Sequence, residues 1–358
     1  MPFKSFFKDN FIHSNTPTTN SKPRIEFIDL AKGICILLVV FYHNGLWWDT
    51  PAIKALRMPL YFILSGLFFK DYGGFIPLLT KKLNKILIPF LFFVGISILL
   101  GVIISSDSVL DNLLMPFYKP DTPNLAVWFL ICLFWVNLIY FWINKIGSSL
   151  KYKTILVFAG GILGYTLSHY HIYLPLFISS SLSALPFFFM GILLRKTSLL
   201  YGKINHFTSK KQQYSTYLLI FMGWTTLLYC IYKGTPYLDF KSNFYSGNPV
   251  EIYIVSIFLV IGLLLICKAI VWLPVISYLG RYSIIILGLH IPVMDYAYIV
   301  VYFLTGHLFS KIEMIIFTIS VCWLAIPICR KFFPKFTAQE DLLPLFSSNK
   351  TSQRKLAL

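Results

Sequence analysis

The stretch Ile28 to Trp47 reads IDLAKGICILLVVFYHNGLW, and as a helix it is long enough to cross the hydrocarbon core of a bilayer, about 30 Å. Its only acidic or basic side chains are Asp29, Lys32 and His43. Such groups are costly in an apolar helix, so they face a cavity or one another and mark function. Ten residues separate Lys32 from His43, which puts the two on one helical face about 16 Å apart along the axis. Asp29 falls on the same stripe. A polar line therefore runs from one end of an apolar helix towards the other.

The rest of the chain follows this pattern. Of 358 residues, 57% are hydrophobic, 18% aromatic and only 13% charged; the mean hydropathy is +0.72. That is too apolar for a soluble fold with a charged outer layer. Apolar blocks recur at 28–47, 53–69, 86–104, 125–143, 154–170, 177–194, 215–232, 250–271, 283–304 and 311–329. Without bilayer water to satisfy exposed backbone, each block must be helical. The expected fold is an all-α integral membrane protein, a bundle of about ten transmembrane helices. Residues 1–24 are expected to form a polar N-terminal segment, 25–335 the membrane domain and 336–358 a tail. The first 24 residues lack the apolar core of a secretory leader.

The chain carries 31 Lys and Arg against 14 Asp and Glu. An excess of that size can mean nucleic acid, but the cations are spread between alternate apolar blocks, divided about four to one between the two sides. The sparse side holds Lys54, Arg57, Lys119, Lys233, Lys241 and Lys311. The basic side is thus expected to be cytoplasmic, with both termini on it. The loops between the blocks run to about 20 residues at most, which leaves no room for a soluble catalytic domain. Six cysteines lie singly in or beside apolar blocks and read as small hydrophobic residues; no metal site is expected.

Each candidate residue has two readings. His43 is either an interfacial histidine bonded to Asn44 or a backbone carbonyl, or a general base, since imidazole accepts a hydroxyl proton near neutral pH. Lys32 either snorkels to the basic side or meets an anionic group arriving from the cytoplasm. Arg57, on the sparse side, is a membrane-face anchor or points into a cavity with His43. Pro59 and Gly66 permit a bend and close packing, and Ser65 is a packing hydroxyl or a nucleophile. Lys81, Lys82 and Lys85 either enforce topology and meet anionic lipid or bind a phosphate-rich donor, Lys82 and Lys85 sharing a face. Ser283 and His290 also share a face, where His290 is either packed or lines a cavity. Outer aromatics (Trp47, Trp48, Tyr118, Trp128, Tyr170, Tyr173, Tyr237) stack on sugar rings or form the interfacial belt.

Several segments together resemble the membrane-bound acyltransferase 3 family of bacterial proteins that acylate cell-surface carbohydrate. They are Arg24-Ile-Glu-Phe-Ile-Asp29-Leu-Ala-Lys32-Gly33 through His43, Arg57-Met-Pro-Leu-Tyr-Phe-Ile-Leu-Ser65-Gly66, Lys82-Leu-Asn-Lys85-Ile-Leu-Ile-Pro89, Trp128-Phe-Leu, Leu185-Pro-Phe-Phe-Phe-Met-Gly191, and Leu279-Gly-Arg-Tyr-Ser283 to His290. The resemblance implies that acyl-CoA, usually acetyl-CoA, serves as donor from the cytoplasm, with no bound cofactor, and that the acyl group reaches a sugar hydroxyl at or beyond the outer face. It implies a catalytic His43 with Lys32 in the same motif. Lys82 and Lys85 stand where the family has arginines, keeping charge but losing bidentate phosphate geometry.

The expectation is O-acyl transfer to a surface polysaccharide or its lipid-linked precursor by a multi-pass protein of the bacterial cell membrane. His43, Asp29 and Arg57 are the catalytic candidates, and Lys32, Lys82 and Lys85 the acyl-CoA contacts. Ser65, Trp128, Ser283 and His290 are candidate cavity-lining residues. The rival reading is a polysaccharide or lipid exporter whose buried charges line a path without chemistry.

Overall fold

The structure is a computed structural model that describes residues 25–45, 51–105, 108–147, 149–197, 210–233 and 236–344. The expected segment 1–24, Trp47, Trp48 and the tail beyond 344 lie outside them. Within the described residues each apolar block falls largely on helix. In chain order the helices are α1 (Glu26–His43), α2 (Pro51–Leu67), α3 (Phe75–Lys82), α4 (Ile88–Ser105), α5 (Val109–Tyr118), α6 (Trp128–Ile146), α7 (Leu150–His169), α8 (Ile178–Arg195) and α9 (Lys210–Lys233). After a hairpin come α10 (Pro249–Ile270), α11 (Pro274–Arg281), α12 (Ser283–Pro292), α13 (Tyr298–Thr305) and α14 (Lys311–Phe332). Among the described residues, six stretches are long and apolar enough to cross a membrane: 75–104, 128–146, 175–195, 249–270, 283–305 and 311–332. The protein is an all-α membrane protein.

Three elements differ from the sequence reading. The loop after α4 contains α5, started by Ser108, whose hydroxyl accepts from Asp111 N at 3.3 Å. Helix α11 precedes α12, begun by Pro274 at its first turn. Between α9 and α10 lies an antiparallel hairpin, β1 (Tyr237–Asp239) with β2 (Phe244–Ser246), in register Tyr237 to Ser246. Segments this short carry no period-2 signal, so the pattern of apolar residues does not announce them.

Two close helix crossings are made by glycine pairs. Gly66 of α2 lies against the Phe188 carbonyl of α8, and Gly191 of α8 against the Ile63 carbonyl of α2. Likewise Gly33 of α1 meets the Ile276 carbonyl, and Gly280 of α11 meets the Asp29 carbonyl. A Cβ at any of these positions would overlap backbone, so the small residues set how near the helices come. Phe62, Phe187, Phe188 and Phe240 fill the core beside these crossings, fully buried. Leu99, Ile103, Phe221, Phe303 and Leu304 project outwards, a surface suited to acyl chains rather than water.

Two helices are interrupted by π-turns, at Leu83–Leu87 between α3 and α4 and at Val293–Ala297 between α12 and α13. One extra residue per turn re-aims the side chains around it, and such turns recur at functional sites. The first carries Asn84 and Lys85; the second begins three residues after His290.

Candidate active site

The end of α1, the start of α2, the start of α6 and the β1 turn enclose a cavity of about 440 Å³. His43, Arg57, Trp128, Lys54, Asp239 and Lys241 are among its lining residues. Arg57 is only 5% exposed. Its guanidinium stacks 4.2 Å from the Tyr42 ring and its Nη1 donates to the Leu38 carbonyl at 3.3 Å. Lys54 Nζ lies 5.4 Å from the Tyr42 ring and 5.0 Å from the Tyr237 ring, and Lys241 pairs with Asp121 at 2.8 Å. Cations held on rings keep their charge while shedding water, so the wall facing His43 is rich in positive field.

Behind His43 stands His290, 0% exposed. Its Nδ1 is 2.9 Å from the Ile286 carbonyl, and its Nε2 is 2.8 Å from Nδ1 of His43. A carbonyl only accepts, so His290 Nδ1 carries the proton and, in the neutral ring, Nε2 is the lone pair. His43 Nδ1 must then donate, which leaves the lone pair of His43 at Nε2. Since His43 lines the cavity, that nitrogen is the basic atom available to a group inside it. Asn44 ends α1 by donating to the Val40 carbonyl at 2.8 Å and to Met294 sulfur at 3.4 Å. Nearby, Asn124 donates to the Gly288 carbonyl at 2.8 Å and ties the loop before α6 to α12.

At the other end of α1, Asp29 accepts from Lys32 Nζ at 2.8 Å and lies 3.6 Å from Arg281 Nε, while Arg281 also reaches Glu26 at 3.3 Å. The acidic residues sit in the first turn of α1, where they also complement the helix dipole. Along α1 an ion cluster thus lies at one end and a histidine pair at the other.

The remaining candidates separate. Ser65 accepts from Asn137 Nδ2 at 3.2 Å, a packing bond between α2 and α6. Lys82 lies over the Phe69 ring at 6.0 Å. Lys85 pairs with Asp341 at 3.0 Å. Ser283 opens α12 two turns before His290. Of the residues picked from sequence, His43, Arg57 and Trp128 share the cavity and His290 backs it. Lys32, Lys82 and Lys85 lie apart from it, at the basic ends of the helices. Sequence reasoning missed Lys54, Asp239 and Lys241 as a group, because a hairpin of two three-residue strands brings two of them in; their position on the cation-poor side was the available signal. Cys35, Cys132, Cys267, Cys322 and Cys329 are free and buried.

In comparisons with known proteins, the acyltransferase domain of the acyltransferase 3 family matches residues 25–330. No curated protein and no solved structure matches the chain.

Proposed function

The chain belongs to the acyltransferase 3 family, a family of acyltransferases, and we propose that it moves an acyl group, acetyl in the simplest case, from cytoplasmic acyl-CoA to a hydroxyl of a surface polysaccharide or its lipid-linked precursor. It does so as a ten-span protein of the bacterial cell membrane with both termini in the cytoplasm. The observation that carries the reading is the hydrogen-bonded chain from the Ile286 carbonyl through His290 to His43, ending in a lone pair at a cavity.

In the proposed step, the acceptor hydroxyl gives its proton to His43 Nε2 as its oxygen bonds to the thioester carbonyl carbon. The developing oxyanion faces the Arg57 guanidinium, a cation already stripped of most of its water by Tyr42. Collapse breaks the carbon–sulfur bond, and the His43 imidazolium returns the proton to the coenzyme A thiolate. The product is an ester plus free thiol. Lys32 and Asp29 hold the charge balance where the donor arrives, and the acyl end travels the length of α1 to reach His43.

The test is mass spectrometry of the host's surface polysaccharide from cells with the intact gene, a deletion, and His43→Ala at matched protein level. Loss of one acyl mass from a glycan that is still displayed, in both altered strains, supports the transferase and names the acyl group. An unchanged acyl pattern with glycan retained inside the cell overturns it in favour of the exporter.

A further inference from the structure

The chain does not leave the bundle where α14 ends. Phe333 and Phe336 pack on the Phe92 ring with centroids 5.4 and 5.5 Å away, and buried Thr337 bonds the Phe333 carbonyl at 2.9 Å. Ala338, at φ 62°, then turns the chain across the face of α3 and its π-turn. From there residues 338–343 bond Lys81, Asn84 and Lys85. Lys85 Nζ donates to the Ala338 carbonyl at 2.8 Å, and the Asp341 carboxylate bridges Lys81 at 2.8 Å and Lys85 at 3.0 Å. Asn84, fully buried, accepts from Leu342 N at 2.9 Å and Leu343 N at 2.8 Å and donates to the Leu343 carbonyl at 2.9 Å. Its amide acts as the edge of a strand, which the π-turn makes available by rotating it towards the tail.

The segment between α2 and α3 lines a second cavity, of about 530 Å³, with Lys70, Asp71 and Tyr72, together with Asn144 and Arg195. Burial, and then the Asp341 charge, hold the Tyr72 hydroxyl above its ordinary range. Lys81, Lys85 and Asp341 side chains are 24%, 30% and 26% exposed. For ion pairs partly open to water, desolvation offsets much of the Coulomb gain, so their net contribution is small. One carboxylate between two lysines is a single negative charge where a pair of cations is available.

We propose that Lys81 and Lys85 form an anion site for the phosphates of the acyl-CoA donor, and that residues 338–343 are its resident occupant, displaced when the donor arrives. The donor is the one assigned under the acyltransferase reading, and the inference rests on it. A phosphate group carries more charge than Asp341 and binds lysine as a point charge, so it wins the exchange. The occupied site shields the two lysines while donor is absent. Lys81, read from sequence only as part of the basic run, is thereby a donor contact, and Lys82, stacked on Phe69, is not.

The experiment is amide hydrogen exchange of the full chain in phosphatidylcholine nanodiscs, with and without coenzyme A, alongside coenzyme A binding by calorimetry. Saturating coenzyme A speeds exchange at Leu342 and Leu343 by about tenfold or more. Asp341→Asn tightens coenzyme A about threefold, whereas Lys81→Gln with Lys85→Gln weakens it about tenfold, although both loosen the strap. A tail with only a structural role would not split the two variants in opposite directions. Coenzyme A that binds without altering Leu342 and Leu343, or variants that leave its affinity unchanged, overturn the strap and leave the transferase reading standing. No binding of coenzyme A at all overturns both. Release of the strap by phosphatidylglycerol nanodiscs alone assigns the site to a lipid phosphate and overturns the donor.

Discussion

His43 and His290, 247 positions apart in the chain, meet through a 2.8 Å hydrogen bond with ring centroids 5.0 Å apart. The direction of that bond is fixed from behind, by the Ile286 carbonyl on His290. It therefore decides which nitrogen of His43 is basic.

Replacing His43 with alanine is expected to remove acyl transfer by about 10² to 10⁴-fold, the scale of a lost general base. His290→Ala is expected to lower kcat by about 10²-fold with the acceptor KM little changed, because His43 then loses its orientation and not its substrate contact. Initial rates with labelled acyl-CoA in membrane vesicles measure both. A His290→Ala protein with full kcat would rule out the positioning role.

Arg57→Lys keeps the charge but not the flat guanidinium over Tyr42 or its reach to the Leu38 carbonyl. The expected result is a fall in kcat of about tenfold to a hundredfold, read in the same assay. Equal rates for arginine and lysine would show that charge alone is used.

Gly66→Ala and Gly191→Ala each drive a methyl into backbone carbonyl of the facing helix. Thermal unfolding in detergent should show a loss of at least about 1–3 kcal/mol for either. Gly95→Ala, whose Cβ would meet nothing within 4 Å, should be neutral or stabilising by up to about 1 kcal/mol, as expected for a helical glycine. Equal behaviour of the three would remove the argument from close approach.

The Asp341 carboxyl loses some hydration on burial, which raises it, but the Lys81 and Lys85 bonds and charges win and hold it below its ordinary value of 3.8. A depressed carboxyl contributes its contact above the ordinary value and loses it as pH falls through the folded value. Protection of Leu342 and Leu343, corrected for intrinsic exchange, should thus be flat from about pH 8 to 5 and collapse below about pH 4. In Asp341→Asn the curve should be lower and flat, and an unchanged curve would remove Asp341 from the strap.

Helicity was legible because a chain with no bilayer water to bond to has one way to satisfy its backbone, so each apolar block had to be helix. The stripe of Asp29, Lys32 and His43 was legible for the same reason: helical spacing alone places three residues on one face. The hairpin that brings Asp239 and Lys241 to the cavity was not, since three-residue strands carry no periodicity. Nor was the return of residues 338–343 to Lys81, Asn84 and Lys85 apparent, since it joins side chains about 260 positions apart in the chain.

What the sequence determined on its own was local and periodic: an all-α membrane architecture, the one-sided charge, the polar line along α1, and the resemblance to the family that matches residues 25–330. What only the tertiary structure decided was long-range: that His290 backs His43, that Arg57 lies on Tyr42 beside it, and that residues 338–343 return to Asn84. The physical reason is that helix and polarity follow from each residue's exchange with its immediate solvent, while the pairing of remote side chains depends on how close the packed helices come. In this chain, glycines at four backbone contacts set that distance.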